Sequence, residues 1–67
     1  MSSEKFRKTL KKLREAKGLT QGELAERAGL HRVYVTQLET GVEKNPTLDM
    51  LERLAKALGV PASQLLE

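Results

Sequence analysis

Sixty-seven residues are enough for one small domain, and the chain is read as a single unit spanning residues 1 to 67. With no cysteine and one histidine it excludes disulfides and a structural zinc site, so no metal or other cofactor is expected. Apolar runs of only a few residues exclude a membrane span and a signal peptide, and a soluble cytoplasmic protein is expected.

The net charge of +3 is unevenly spread. Residues 1–17 carry seven basic and two acidic groups, whereas residues 18–46 and 47–67 are each net −1. A polyanionic partner and a merely solvated helix face account for this equally well.

Helical periodicity covers nearly the whole chain, with no window of alternating apolar and polar residues long enough for a strand, so the fold class is all-α. In the first segment, Ser3 to Lys17, the residues Phe6, Leu10 and Leu13 share a face, Ser3 is suited to cap, and Gly18 to stop the helix. Thr20 followed by Glu23 is a capping box, which starts a second helix at Gln21. That helix runs to about Ala28, buries Leu24, Ala25 and Ala28, and ends at Gly29. A third helix, about Arg32 to Thr40, buries Val35 and Leu38 and ends at Gly41. After the loop GVEKNP, Thr47 is suited to cap a fourth helix with Asp49 in its first turn. Its buried stripe is Leu48, Leu51, Leu54, Ala55 and Leu58, and Gly59 ends it. Pro61 suits the first turn of a short fifth helix carrying Leu65 and Leu66.

Two short helices joined by a glycine-containing turn form a helix-turn-helix candidate. Ala25 is small where the second helix must approach the third, and Gly29 tolerates positive φ. Arg32, Val33, Thr36, Gln37 and Thr40 fall on one face of the third helix, the face opposite its core residues, because their separations approximate whole turns. Packing accounts for Ala25, Gly29, Val35 and Leu38, but it asks for nothing on that outer face.

LTQGELAERAGLHRVYVTQLETG followed by PTLDMLERLAKALGV resembles the phage-repressor and Cro type of helix-turn-helix domain, also called the xenobiotic-response-element family. The resemblance runs from Phe6 to Leu66 and rests on Gln21, Ala25, Gly29, Val35, Leu38, Glu39 and Gly41 at family spacing. It implies a compact, lambda-repressor-like five-helix bundle, double-stranded DNA as partner, and the third helix in the major groove, where each base pair shows a distinct donor and acceptor pattern. On that reading Arg32 pairs with guanine, Gln37 reads adenine, Val33 meets a thymine methyl, and Thr36 touches a methyl or a phosphate. His31 departs from the family, which commonly caps the third helix with serine or threonine, and is assigned a base contact.

The resemblance also assigns backbone phosphate to Gln21 at the start of the second helix, with Gly22 allowing close approach, and to Thr40, Lys44 and Asn45 beyond the third. Glu43 beside the last two is repulsive. Tyr34 is expected half-buried with its hydroxyl a donor to phosphate. Arg14 is expected to pair with Glu39 and to direct positive charge toward DNA. A homodimer on a palindromic operator is expected, with Val60, Leu65 and Leu66 as its interface, although the same residues serve equally to close the core. The localisation implied is the cytoplasm of a bacterial, archaeal or phage-infected cell, with the protein on the nucleoid when bound. The one domain fills the chain, so no small-molecule effector is expected.

A reading of another class stays open: an antitoxin-like, protein-binding module with DNA binding secondary, favoured by the apolar C-terminal residues and the negative balance around the helix-turn-helix. An enzyme is not expected, since no nucleophile stands beside a base and no carboxylates are paired.

Overall fold

A computed structural model describes residues 3–42 and 46–66. Five helices follow one another: α1 (Ser3–Ala16), α2 (Gln21–Ala28), α3 (Arg32–Thr40), α4 (Leu48–Leu58) and α5 (Ala62–Leu66). Ser3, expected as the cap of α1, stands instead as its first residue.

The ends of α2 follow from local chemistry. The Thr20 hydroxyl accepts from the Glu23 backbone N–H at 3.0 Å, and the Thr20 N–H donates to Glu23 Oε1 at 2.8 Å. At the other end Gly29 takes φ +71°, and the N–H groups of Gly29 and Leu30 close back on the carbonyls of Glu26 and Ala25. That turn brings α3 across α2 within three residues. The Thr47 hydroxyl caps α4 by accepting from the Met50 N–H at 3.2 Å. Pro61 lies just outside α5, and its carbonyl accepts from the Gln64 N–H.

One core joins the five helices: Phe6 and Leu10 of α1, Leu24 of α2, Val35 and Leu38 of α3, Leu54 and Leu58 of α4 and Leu65 of α5 are all fully buried. Each such leucine contributes about 1.5–3 kcal/mol through removal from water. Two expectations change here, and one core residue is unexpected. Leu19, in the turn before α2, joins the core although no helical period marks it. Leu48, assigned to the buried stripe of α4, is 65% exposed, because no described element covers the first residue of that helix. Leu65 is 0% exposed within its own chain, so it closes the core and is not part of a dimer surface.

Candidate nucleic-acid interface

The third helix is held from three sides. Val35 and Leu38 anchor its inner face in the core. At its C-terminal end Arg7 of α1 donates through Nη1 to the Thr40 carbonyl at 3.1 Å, placing a cation at the negative end of the helix dipole. Gly41 follows at φ +89°, and a Cβ there would come within 2.7 Å of Arg7 Nη1, so the glycine serves both the turn and the approach of the arginine.

The third restraint is polar and buried. Arg14 donates from Nε to Glu39 Oε2 at 2.7 Å and from Nη2 to Glu39 Oε1 at 3.0 Å, while Nη1 donates to the Leu19 carbonyl at 2.7 Å. A bidentate guanidinium–carboxylate pair is geometrically selective, and this one ties α1 to the end of α3 and to the turn before α2. The hydrogen bond to Glu39 raises the pKa of Arg14, outweighing the opposing effect of burial. The expected Arg14–Glu39 pair is therefore present. The phosphate contact expected of Arg14 is corrected: the residue is only 9% exposed and its guanidinium is turned inward, so it clamps the fold instead of presenting charge to DNA.

Gln21 extends this cluster. Its Nε2 donates to Glu39 Oε1 at 3.0 Å, and its Oε1 accepts from the Thr36 hydroxyl at 2.6 Å. The side chain assigned to phosphate is thus partly buried and engaged, with one amide N–H beyond the bond to Glu39. Sequence reasoning missed the Gln21–Thr36 bond, since neither residue signals the other across the turn. It also missed Arg7, which looked like one more solvated cation.

The face drawn from helical spacing is open only in part. Arg32, Val33 and Thr40 are exposed, and Val33 is 60% exposed with nothing in the described chain to cover it. Thr36 and Gln37 are half-buried. His31 occupies the cap position of α3 in extended backbone (φ −80°, ψ 143°), and its side chain makes no capping hydrogen bond. Tyr34 is half-buried and packs against the core. The stem of Arg32 lies over Gly22: a Cβ at that glycine would stand 3.5 Å from Arg32 Cδ, so the space expected for a phosphate is shared with a side chain. Lys44 and Asn45, with Glu43, lie outside the described residues. Val60 is half-buried and Leu66 is exposed. Among the described residues no cluster of histidine and carboxylates is placed to hold a metal ion, and no helix is long and apolar enough to cross a membrane.

Residues 10–65 match the family described as Helix-turn-helix. The chain belongs to that family. It is 34% identical over 58 residues to the HTH-type transcriptional regulator SinR of Bacillus subtilis, an alignment covering 87% of this chain and 52% of SinR. The chain thus spans about half the length of that relative. Its fold matches the restriction-modification controller protein C.AhdI from Aeromonas hydrophila with a TM-score of 0.90 at 41% identity, covering 94% of each chain. It also matches SinR in a crystal structure in complex with DNA, with a TM-score of 0.89 at 32% identity, over 92% of this chain and 98% of that one. These relatives are named as regulators and controllers, and their fold is the five-helix, lambda-repressor-like architecture seen here.

Proposed function

We propose that this chain is a sequence-specific, double-stranded DNA-binding transcriptional regulator that lays α3 in the major groove. The observation that carries the reading is the outer face of α3: Arg32, Val33 and Thr40 are exposed, with Thr36 and Gln37 half-buried beside them, on a helix held by Arg7, Arg14 and two buried apolar anchors. The fold shared with SinR, whose crystal structure is a complex with DNA, supports the same reading. Arg32 pairs with a guanine edge, Gln37 with adenine, Val33 with a thymine methyl, and His31 reaches a base at the end of the groove. Backbone phosphates are met by the remaining amide N–H of Gln21, by Tyr34 and Thr40, and by Lys44 and Asn45 in the loop that follows. Two copies joined through Leu66 and the exposed edge of Val60 set their third helices about 34 Å apart and read a palindrome. The setting is the cytoplasm, and occupancy depends on protein concentration.

The test is selection from a random duplex pool at two salt concentrations, with the Arg32→Ala variant alongside. A palindrome should emerge, and Arg32→Ala should lose preference at one symmetric position by about fivefold or more while the salt slope stays within about one unit. Weak binding blind to sequence would overturn the reading and turn attention to a protein partner of the antitoxin-like kind.

A further inference from the structure

We propose that Thr36 reads DNA as a hydrogen-bond acceptor only, because a polar relay starting at Arg14 fixes the direction in which its single hydroxyl proton points. The inference rests on α3 being the base-reading helix. Each link follows from what its neighbour is able to donate. The Arg14 guanidinium has donors and no acceptor, so it faces the Glu39 carboxylate through Nε and Nη2. Glu39 has acceptors only, so Gln21 must turn its amide nitrogen toward it, and Nε2 lies 3.0 Å from Glu39 Oε1. A flipped amide would set two oxygens against each other beside a carboxylate with a side-chain exposure of only 2%. Gln21 Oε1 is thereby committed to the opposite side, where the Thr36 hydroxyl lies at 2.6 Å. Oε1 has no proton to give, so Thr36 donates.

A threonine hydroxyl has one proton and two lone pairs. With the proton held by Gln21, position 36 offers the outer face of α3 lone pairs and a methyl group. In the major groove those lone pairs suit an exocyclic amino group, adenine N6 or cytosine N4, and are repelled by guanine O6 and N7 or thymine O4. A threonine on an isolated helix would rotate its hydroxyl to suit either kind of base. Here the buried arginine, two side chains away, makes the choice.

The experiment is the same pool selection applied to Thr36→Val, Gln21→Met and the double variant, with thermal unfolding of each. Thr36→Val keeps the shape and removes the hydroxyl, so preference for an amino-bearing base should fall about fivefold at one symmetric position, which identifies the base it reads. Gln21→Met removes a phosphate contact and should weaken all sequences by a common factor. At the position identified it should also admit guanine or thymine, reducing discrimination there about fivefold, and the double variant should lose that gain. A uniform loss in Gln21→Met with unchanged preference at that position overturns the relay alone. So does a wild-type preference for guanine there, or a Thr36→Val variant that alters no position. Absence of any sequence preference in the wild type overturns both the relay and the function on which it rests.

Discussion

The two helices of the helix-turn-helix are nearly the same length but are secured in different ways. The start of α2 is closed by its own residues, since Thr20 and Glu23 satisfy each other's backbone N–H groups. The start of α3 has no such closure: His31 makes no side-chain capping bond, and the first turn holds no acidic residue. What fixes α3 comes from outside it: Arg7 on its last carbonyl, Arg14 on Glu39 and Gln21 on Thr36. A helix positioned from behind and from its far end leaves most of its outer face open, Thr36 alone carrying a bond back to α2, and that face is the one assigned to bases.

The sharpest way to break this contrast is to remove the clamp on α3. Arg14→Met leaves the Glu39 carboxylate buried without its cation, a change that costs about 3–5 kcal/mol. A domain of this size draws roughly 3–5 kcal/mol from its core, so the variant should be largely unfolded at room temperature even though the capping box of α2 is intact. Replacing both partners, Arg14→Met with Glu39→Leu, removes the stranded charge and should restore most of the loss. Thermal and urea unfolding followed by circular dichroism decide the matter. An Arg14→Met protein that melts within a few degrees of wild type would mean that α3 does not depend on the clamp.

A smaller effect comes from exchanging the cap chemistry of the two helices. Thr20→Ala removes the hydroxyl that serves the Glu23 N–H and should cost about 1 kcal/mol, lowering the melting temperature by about 4–8 °C. His31→Ser supplies an acceptor in backbone that is already extended at the cap position, and should raise stability by a similar amount, about 1 kcal/mol. If His31→Ser gains nothing, the start of α3 is set wholly by the contacts elsewhere along it.

The same contrast explains what could be read from the chain alone. The bounds of α2 and α3 were legible because their punctuation is local: Thr20 with Glu23, Gly29 after one helix, Gly41 after the other. The outer face of α3 was legible because it follows from helical spacing once Val35 and Leu38 are placed inside. Arg7, the inward turn of Arg14 and the Gln21–Thr36 bond depend on which element lies opposite, and no spacing within one helix carries that information. Leu19 went unread and Leu48 was misplaced for the same reason, in opposite directions. The first lies in the core that joins the five helices, and the second stands at a helix start that nothing described covers.

The smallest expected effect sharpens the comparison through pH. The Thr20 backbone N–H, and then the Thr20 hydroxyl, hold the Glu23 carboxyl below its ordinary pKa in the folded chain. A group whose folded pKa is depressed contributes stability that is present above the unfolded value and is lost as pH falls through the folded one. The box on α2 should therefore weaken in acid, below the ordinary carboxylate range, while the start of α3, with no acidic residue in its first turn, gives up nothing there. Glu23→Gln preserves the reciprocal bond without a titrating group, so its stability should lack this acid-dependent component. Urea midpoints for wild type and Glu23→Gln should diverge on the neutral side of that range and converge on the acid side, as amide exchange at the first turn of α2 rises in the wild type alone. Curves that stay parallel throughout would mean that the carboxylate adds nothing to the cap, and that Thr20 alone distinguishes the start of α2 from the start of α3.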